Sequence, residues 1–423
     1  MKVYKFGGAS VKDAASVKNL ASFLGQYRGT HLLVVVSAMS KTTNRLEQLA
    51  TVWHRGDGEA VEEQLAAIKR FHFGILEELL PGDRFAFNEL SDLFNSLWST
   101  LIEPAPKSYD RAYEMVVPYG ELLSTVLIWH YLKHTGLDLD WLDARKLIIT
   151  DETWREGRIN WERTTANLKK CLKNRQESGA TMGITQGFIA STGNGDMITL
   201  GREGSDFTAA VIAYALDAEE VVIWKDVPGL MNADPAIFHD AVMLPELSFH
   251  EAIELAYYGA KVIHPKTIKP LQNKNIPLKV KSFLNPDQPG SLIHSLEKYD
   301  QQIPSYIIKK NQTLISFSPK DFSFIAERNI SDIFSCLSSL NIRANLMQNS
   351  AISFSVCIDD QEDRSHQLIS MLNEQFAIRY NRHLTLITIR HFTEEMIDGL
   401  IANAKVILEQ RSRNTVQLVV SEG

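Results

Sequence analysis

The N-terminal part of the chain alternates between short apolar runs and amphipathic segments. Residues 2–6 are strand-like and lead directly into a pair of glycines. Apolar residues then recur at helical spacing between Val17 and Leu24. Residues 32–36 form an apolar run with the length and β-branched composition of a buried strand. The order strand, glycine turn, helix, strand predicts an α/β fold built on a mostly parallel sheet between helical layers.

The pattern changes between residues 44 and 115, where apolar residues recur at helical spacing with charged residues between them. This predicts a helical insertion, and a further helix is predicted over residues 119–134. The strand pattern then resumes. Five strands are predicted, at residues 139–142, 147–150, 183–189, 197–200 and 220–224.

A cluster of Pro, Gly and Asn between residues 285 and 304 marks a domain edge. Beyond it the pattern predicts the βαββαβ order of ferredoxin-like folds. These elements are expected at residues 313–317, 330–340, 342–346, 352–358, 365–376 and 384–389. A helix over residues 394–408 and a strand over residues 415–420 are expected to follow.

The composition narrows the class of protein. The chain has 423 residues, 44 Lys plus Arg against 51 Asp plus Glu, a net charge of −7, and 44% hydrophobic residues. These values are typical of folded proteins with two or three domains. The acidic balance and the lack of an apolar stretch near ~20 residues argue against a nucleic-acid or membrane partner. Cys171, Cys336 and Cys357 are isolated, which favours the reduced cytoplasm over a disulfide scaffold or a zinc site.

The first candidate site follows the first strand. Lys5 lies at the strand end, and Gly7, Gly8 and Ser10 follow where a helix begins. Glycines allow a ligand to approach the backbone closely, and N–H groups at a helix start attract anions. Lys5 can neutralise charge on the same anion. The segment is not a P-loop, because no G-x-x-x-x-G-K-[ST] motif occurs; the alternative is an ordinary turn with a surface lysine.

A second glycine-rich segment, residues 201–206, lies between a predicted strand and an apolar helix. Arg202 is suited to bidentate binding of a carboxylate. Asp206 lies at the helix start, where the alternative is that Ser205 or Asp206 only caps the helix. Ligands of α/β proteins bind at the carboxyl ends of strands, which favours a binding site.

Three further segments have the same character of a glycine beside a charged residue. Glu121 follows Gly120 near a helix start, where it is suited to hold an ammonium group or only to complement the helix dipole. Residues 224–229 form a strand that runs into a Pro-Gly turn, and residues 259–265 contain a helix stop followed by a lysine. Taken singly, each is an ordinary loop feature.

Together these segments resemble the aspartate kinases of the amino-acid kinase superfamily. The matching segments occur in the family's order and approximate spacing over residues 1–295: 5–8, 37–44, 120–121, 185–188, 199–202, 204–206, 224–229 and 259–265. The resemblance implies an amino-acid kinase fold. It also implies ATP-dependent phosphorylation of the β-carboxylate of L-aspartate, giving 4-phospho-L-aspartate and ADP. This is the first step of lysine, threonine and methionine biosynthesis.

The resemblance also implies roles for individual residues. Lys5 and Asp206 resemble the catalytic residues of the family. The residues that resemble its substrate-binding set are Ser37, Thr43, Glu121, Phe188, Arg202 and Ser205. Those that resemble its nucleotide-binding set are Lys5, Gly7, Gly8, Ser10, Lys225, Asp226, Met231 and Lys261. Mg²⁺ is expected to arrive with ATP and not to be held in a protein cage.

The chain departs from the family pattern at four positions near the expected nucleotide. Ala9 stands where Thr is usual, Glu203 where Gly is common, Met231 where Tyr is frequent and Ala236 where Arg is frequent. These changes bear on the affinity for ATP more than on the type of reaction.

Residues 304–423 resemble the ACT regulatory modules of aspartate kinases. A first module over residues 311–383 is expected to be inserted into a shortened second module, made of residues 304–310 and 384–423. Asn345, Gln348 and Ala351 replace the Asp, Thr and Glu of lysine-inhibited members. Because a lysine ammonium would lose its charge partners there, weakened lysine control is expected. An effector remains open between lysine, threonine and none, and a homodimer is expected.

Two alternatives to an aspartate kinase remain. Sister kinases of the superfamily act on other small carboxylates and share the fold, so the fold alone does not separate them. A catalytically inactive kinase fold that senses an amino acid is the second alternative.

Overall fold

The computed structural model describes residues 1–260, 263–298, 300, 303–321, 323–401 and 404–422. The chain divides into two compact units. The first consists of Met1–Leu230, Met243–Ile253 and Val262–Glu297, and the second of Met231–Val242, Glu254–Lys261 and Lys298–Gly423.

The chain up to residue 294 contains the strands of an α/β fold. They are β1 (Lys2–Phe6), β2 (Leu32–Val36), β3 (Leu139–Leu142), β4 (Ile149–Thr150), β5 (Met182–Gln186), β6 (Ile189–Thr192), β7 (Met197–Thr199), β8 (Glu220–Lys225), β9 (Glu246–Ser248), β10 (Leu278–Ser282) and β11 (Ser291–His294). Eight of them form one sheet in the order β3-β5-β2-β1-β8-β10-β11-β9, and β4, β6 and β7 form a small second sheet. Pairing is parallel from β3 to β10, so the predicted α/β class is confirmed.

Helices flank these strands and supply the insertion. They are α1 (Ala14–Gly25), α2 (Thr42–His54), α3 (Gly58–Leu79), α4 (Arg84–Leu101), α5 (Tyr109–Val116), α6 (Tyr119–His134), α7 (Ala144–Leu147), α8 (Trp161–Ser178), α9 (Gly204–Ala215), α10 (Phe249–Tyr258) and α11 (Pro265–Asn273). The helical insertion predicted over residues 44–115 is confirmed as α2 to α5. Among the described residues, no helix is both long enough and apolar enough to cross a membrane.

The register of the central strands brings their carboxyl ends together. Phe6 of β1 lies beside Val36 of β2 and Trp224 of β8, and Val36 in turn lies beside Gln186 of β5. All of these strand-end residues are buried. The loops that follow β1, β2, β5 and β8 therefore start from one edge of the sheet, where α/β proteins bind ligands.

The insertion packs into the same core as the sheet. Ile68 of α3, Phe94 of α4 and Leu127 of α6 belong to one buried cluster with Val36 of β2. α3 and α4 are amphipathic, with buried apolar residues on one face, whereas α6 is buried on all sides between Tyr119 and Ile128. This shared core holds the start of α6, and with it Glu121, beside the sheet edge.

The single strand predicted over residues 183–189 is wrong. β5 ends at Gln186, and β6 begins at Ile189 in the other sheet. Phe188 between them has a φ of +68°, a left-handed conformation outside the β region, and the chain turns there from one sheet to the other. The strand predicted over residues 147–150 is likewise only Ile149–Thr150, because α7 occupies the residues up to Leu147.

The second unit contains a six-stranded antiparallel sheet. Its elements are β12 (Ser305–Pro319), α12 (Glu327–Ser339), β13 (Ala344–Asn349), β14 (Phe354–Asp359), α13 (Glu362–Leu372), β15 (Phe376–Arg390), α14 (Glu394–Ile401), β16 (Ala404–Arg411) and β17 (Thr415–Glu422). The strand order is β13-β14-β12-β15-β17-β16. The long strands β12 and β15 run through two successive ferredoxin-like halves, and the register shifts between them at Lys309 and Gln312. The βαββαβ order of the first half is confirmed.

The helix predicted over residues 394–408 is wrong in its second part. α14 ends at Ile401 and β16 begins at Ala404. Val406 and Leu408 pair with Val420 and Val419 of β17. The run Ala-Lys-Val-Ile-Leu at 404–408 suits either structure, and pairing with β17 decides it. The second half of the sheet therefore has one strand more than expected.

The turn between β10 and β11 gives a test of backbone strain. Gly290 has a φ of +70°, and a Cβ there would collide with the carbonyl oxygen of Val280. Gly29 has a φ of +76° but no atom within 4 Å of its Cβ position. Gly29→Ala is expected to cost about 1–2 kcal/mol from φ alone. Gly290→Ala is expected to cost about 1–3 kcal/mol more because of the collision.

Urea unfolding of the two variants against the wild type measures this difference. Equal unfolding midpoints for Gly290→Ala and Gly29→Ala would contradict the close packing described for the β10–β11 turn.

Candidate functional site

A cavity of about 610 Å³ lies in the first unit at the carboxyl ends of the central strands. Nine residues with predicted roles line it: Lys5, Ser37, Thr43, Glu121, Phe188, Arg202, Ser205, Asp206 and Lys225. They come from six separate parts of the chain. The ends of the parallel strands and the start of α6 bring them to one edge of the sheet.

The most buried charges of the cavity form an ionic cluster. Lys5 Nζ lies 2.6 Å from Asp206 Oδ1, and Lys225 Nζ lies 3.5 Å from Asp206 Oδ2. The side chains of Lys5 and Asp206 are 9% and 3% exposed. Burial alone would raise the pKa of Asp206, but the charges of Lys5 and Lys225 outweigh it and hold that pKa below its usual value. Asp206 therefore stays ionised and aligns two ammonium groups in the cavity.

Glycines keep space open beside Lys5. A Cβ on Gly8 would lie 2.6 Å from the carbonyl oxygen of Ala38, so no larger residue fits there. A Cβ on Gly7 would lie 3.5 Å from Lys5 Nζ. Ser10 is buried, and its backbone N–H donates to the Gly7 carbonyl at 2.9 Å in a short 3₁₀ turn. The result is a partly exposed stretch of backbone next to a lysine, which suits a phosphate group.

Glu121 is a buried carboxyl group with spare hydrogen-bonding capacity. It lies in the first turn of α6, close to Ala38, and a Cβ on the preceding Gly120 would lie only 3.1 Å from the Ala38 Cβ. Oε1 accepts from the Ala38 N–H at 3.3 Å, whereas buried Oε2 has no partner among the described residues. Burial raises the pKa of Glu121 to about 8. A buried acceptor of this kind calls for a donor from a ligand, and an ammonium group would supply one.

The loop after β7 carries Arg202 into the cavity. Gly201 and Glu203 have φ values of +74° and +53°, which explains why glycine suits both positions. Glu203 takes the N-cap position of α9, so Ser205 and Asp206 lie inside the helix. The alternative that either of them only caps the helix is wrong. Arg202 is exposed and makes no ion pair within the described part of the chain, so its guanidinium is available to an anion.

Phe188 and Ser205 owe their places to close packing around two glycines. A Cβ on Gly187 would lie 2.5 Å from the Ser205 Cβ, and a Cβ on Gly204 would lie 2.6 Å from Phe188 Cδ2. The Phe188 N–H donates to Thr208 Oγ1 of α9 at 2.9 Å. The turn after β5 is thereby fixed against the start of α9.

Asp226 and Met231 of the predicted nucleotide set are not among the residues that line this cavity. Asp226 is exposed in the loop after β8. Met231 is half-buried and belongs to the second unit. Lys261 lies outside the described residues. Their assignment to a nucleotide remains a prediction.

Four residues of the cavity received no role from the sequence: Asn44, Glu47, Tyr113 and Arg155. Glu47 lies one helical turn after Thr43 on α2, a spacing that could have pointed to it. Arg155 and Tyr113 come from the loop after β4 and from α5, and neither carries a local signal. Arg155 Nη2 lies 3.2 Å from Glu47 Oε1, and its guanidinium lies 4.3 Å from the Tyr113 ring centre.

The described residues contain no group of three or more His, Cys, Asp and Glu side chains arranged to hold a metal ion. α6 carries two histidines spaced four residues apart, His130 and His134. His130 faces a carboxylate, because its Nε2 lies 2.7 Å from Glu89 Oε2.

Comparisons with known proteins agree with this geometry. Residues 1–282 match the amino acid kinase family. Lysine-sensitive aspartokinase 3 of Escherichia coli (strain K12) is 33% identical over 359 residues, which cover 84% of this chain and 78% of that protein. The aspartokinase of Chlamydia pneumoniae is 31% identical over 416 residues, covering 96% of this chain and 87% of the relative.

A solved structure extends the similarity to the fold. The crystal structure of E. coli aspartokinase III in complex with aspartate and ADP superimposes with a TM-score of 0.83 at 28% sequence identity. The match covers 99% of this chain and 96% of that one. With the ionic cluster at the strand ends and the sequence identity over most of the chain, these matches show that the protein belongs to the amino acid kinase family and, within it, to the aspartokinases.

Proposed function

We propose that this chain transfers the γ-phosphoryl group of ATP to the β-carboxylate of L-aspartate, giving 4-phospho-L-aspartate and ADP. The observation that carries the proposal is one cavity that contains both the Lys5–Asp206–Lys225 cluster and the buried carboxyl of Glu121. Two ammonium groups suit a transferring phosphoryl group, and a buried acceptor suits the ammonium of an amino acid. The proposed catalytic domain covers residues 1–295.

On the phosphoryl side, the residues act by charge and alignment. Lys5 and Lys225 neutralise charge on the phosphates, and Asp206 fixes both ammonium groups before the substrate arrives. Gly7 and Gly8 leave backbone exposed for the phosphate oxygens. A carboxylate nucleophile needs no proton removed, so alignment and charge neutralisation are sufficient.

On the amino-acid side, Arg202 and Glu121 hold opposite groups of aspartate. The exposed Arg202 guanidinium takes the carboxylate that does not react, and Glu121 takes the ammonium. The half-buried Ser37, Thr43 and Phe188 and the buried Ser205 line the space between them. This arrangement directs the β-carboxylate towards the phosphoryl group.

ATP brings Mg²⁺ with it in this proposal. Mg²⁺ usually keeps several waters and binds through phosphate oxygens and one or two carboxylates. Among the cavity residues, Asp206 is the buried, ionised carboxylate that would serve as such a ligand, and it also contacts Lys5 and Lys225. Bound Mg²⁺ would neutralise charge on the β- and γ-phosphates. Asp226, Met231 and Lys261 complete the proposed nucleotide contacts.

A substrate panel tests the proposal against its alternatives. ADP release is measured with ATP, Mg²⁺ and either L-aspartate, L-glutamate or N-acetylglutamate. Release that depends on aspartate supports an aspartate kinase. Release with another acid alone indicates a sister kinase, and no release with any acid indicates an amino-acid sensor.

Lys5 and Arg202 are expected to affect different kinetic constants. Lys5→Ala is expected to lower kcat about 100- to 1,000-fold, the usual effect of losing one preorganised donor to a transition state. Arg202→Ala is expected to raise the KM for aspartate more than it lowers kcat, because it acts on substrate binding. Lys18→Ala, which removes an exposed lysine paired with Glu78 on the surface, serves as the control. A kcat near that of the wild type for Lys5→Ala would contradict the mechanism.

Glu121 is expected to make aspartate binding depend on pH. Its pKa of about 8 leaves it protonated in the free enzyme at neutral pH, and it accepts an ammonium group only once ionised. kcat/KM for aspartate should therefore rise with pH and level off above about pH 8, since this constant reports groups of the free enzyme. Glu121→Gln should raise the KM and abolish the rise.

Glu114 provides the control for this profile, because burial raises its pKa to about 7. Glu114→Gln should keep the rise near pH 8. A rise that persists in Glu121→Gln would show that another group causes it.

We also propose that residues 304–423 form a regulatory region with weakened control by lysine. Asn345 Oδ1 accepts from Lys309 Nζ at 2.8 Å, and Asn345 Nδ2 donates to Gln312 Oε1 at 2.8 Å and Asp359 Oδ1 at 2.9 Å. The amide is thus committed to residues of the same unit. Gln348 and Ala351 are exposed. Homodimer formation through this region and a cytoplasmic location remain predictions.

Millimolar lysine is accordingly expected to leave the ATP turnover unchanged. The E. coli relative is named as lysine-sensitive, so it serves as a positive control under the same conditions. Threonine at the same concentration tests the other amino-acid effector. Strong inhibition of this protein by lysine would contradict the proposal that Asn345 weakens the control by lysine.

A further inference from the structure

We propose that Arg155 is a second guanidinium of the amino-acid site, which binds the non-reacting carboxylate of the substrate together with Arg202. Glu47 and Asp110 hold Arg155 while the substrate is absent. This inference rests on the proposed function and adds to it a residue that carries no local sequence signal.

The backbone of Arg155 is held where it meets the Arg202 loop. Arg155 has a φ of +64°, a conformation that costs a residue with a side chain about 1–3 kcal/mol and tends to persist at functional sites. Its N–H donates to the buried carboxylate of Glu114 on α5. A Cβ on Gly201 would lie 3.1 Å from the Arg155 carbonyl oxygen. Arg155 and Arg202 thus belong to two loops in contact, and both line the same cavity.

The guanidinium is oriented without being locked. It lies 4.3 Å from the Tyr113 ring centre and 5.8 Å from that of Tyr109. Its ionic contacts are 3.2 Å to Glu47 and 3.5 Å to Asp110, with a side chain that is 40% exposed. These contacts use two of the five N–H donors of an arginine. Ion pairs with this exposure contribute little free energy, so an incoming carboxylate can replace them at low cost.

The charges around the cavity favour the replacement of Glu47 and Asp110 by a substrate carboxylate at Arg155. Four cationic side chains line it, and two of them, Lys5 and Lys225, are paired with the buried Asp206. Arg202 is available, and Arg155 is paired only at the surface. Glu47 lies one helical turn from Thr43, on the face of α2 that lines the cavity. A substrate carboxylate that reaches Thr43 therefore comes within reach of the guanidinium that Glu47 holds.

Steady-state kinetics with aspartate and ATP test the inference. Arg155→Met removes the charge and keeps an apolar stem against Tyr113. It is expected to raise the KM for aspartate about tenfold, the effect of about 1.4 kcal/mol, with kcat and the KM for ATP within about twofold of the wild type. The KM for aspartate of Arg155→Lys should lie between those of the wild type and Arg155→Met. Glu47→Gln should leave the KM for aspartate unchanged or lower it, because it releases Arg155.

Arg155→Gly controls for the backbone, because glycine adopts a φ of +64° without strain. An equal rise in the KM for aspartate in Arg155→Gly and Arg155→Met assigns the effect to the lost guanidinium. A KM for aspartate in Arg155→Met within about twofold of the wild type overturns the inference. An equal rise in the KM for ATP overturns it as well. Wild-type protein that shows no turnover of aspartate overturns the proposed function as well, whereas normal turnover with an unchanged KM in Arg155→Met overturns this inference alone.

Discussion

The site depends on one buried interaction, the contact of Asp206 with Lys5 and Lys225. A buried carboxylate without a cation is costly, and the loss of one partner from such a cluster typically costs about 3–5 kcal/mol. Here two ammonium groups face one carboxylate, so the cluster keeps a positive charge for a ligand, and the lysines hold the pKa of Asp206 low in spite of its burial. The cluster therefore places two ammonium groups in a fixed position, which phosphoryl transfer requires because its catalysis is mostly alignment and electrostatic stabilisation.

The parallel sheet makes this cluster possible. Lys5 is the last residue but one of β1 and Lys225 ends β8, and these strands are neighbours in register. Strand pairing thus brings together two lysines that lie far apart in the chain. Asp206 enters from the first turn of α9, which follows the loop that carries Arg202. Glu121 reaches the same cavity through the helical insertion, whose core is shared with the sheet. The fold supplies the positions, and the side chains at those positions supply the chemistry.

Much of this arrangement could be predicted from local sequence. Two local patterns each predicted a binding segment at their own position in the chain. One is a lysine followed by two glycines at the end of a strand, and the other is an arginine between glycines before a helix. What failed was non-local. Phe188 takes a left-handed conformation and ends a strand that looked continuous, and pairing with β17 places residues 404–408, which were expected in a helix, in strand β16. Arg155 could not be found, because its place depends on Glu114 and Gly201 from distant parts of the chain.

The most direct test of the central claim is the identity of the product. The protein is incubated with ATP, Mg²⁺ and L-aspartate, and ³¹P NMR follows the γ-phosphoryl group. An aspartate kinase should give an acyl phosphate signal that grows in proportion to ADP and that is absent when aspartate is omitted. Release of inorganic phosphate at the same rate with and without aspartate, or unchanged ATP, would contradict this activity.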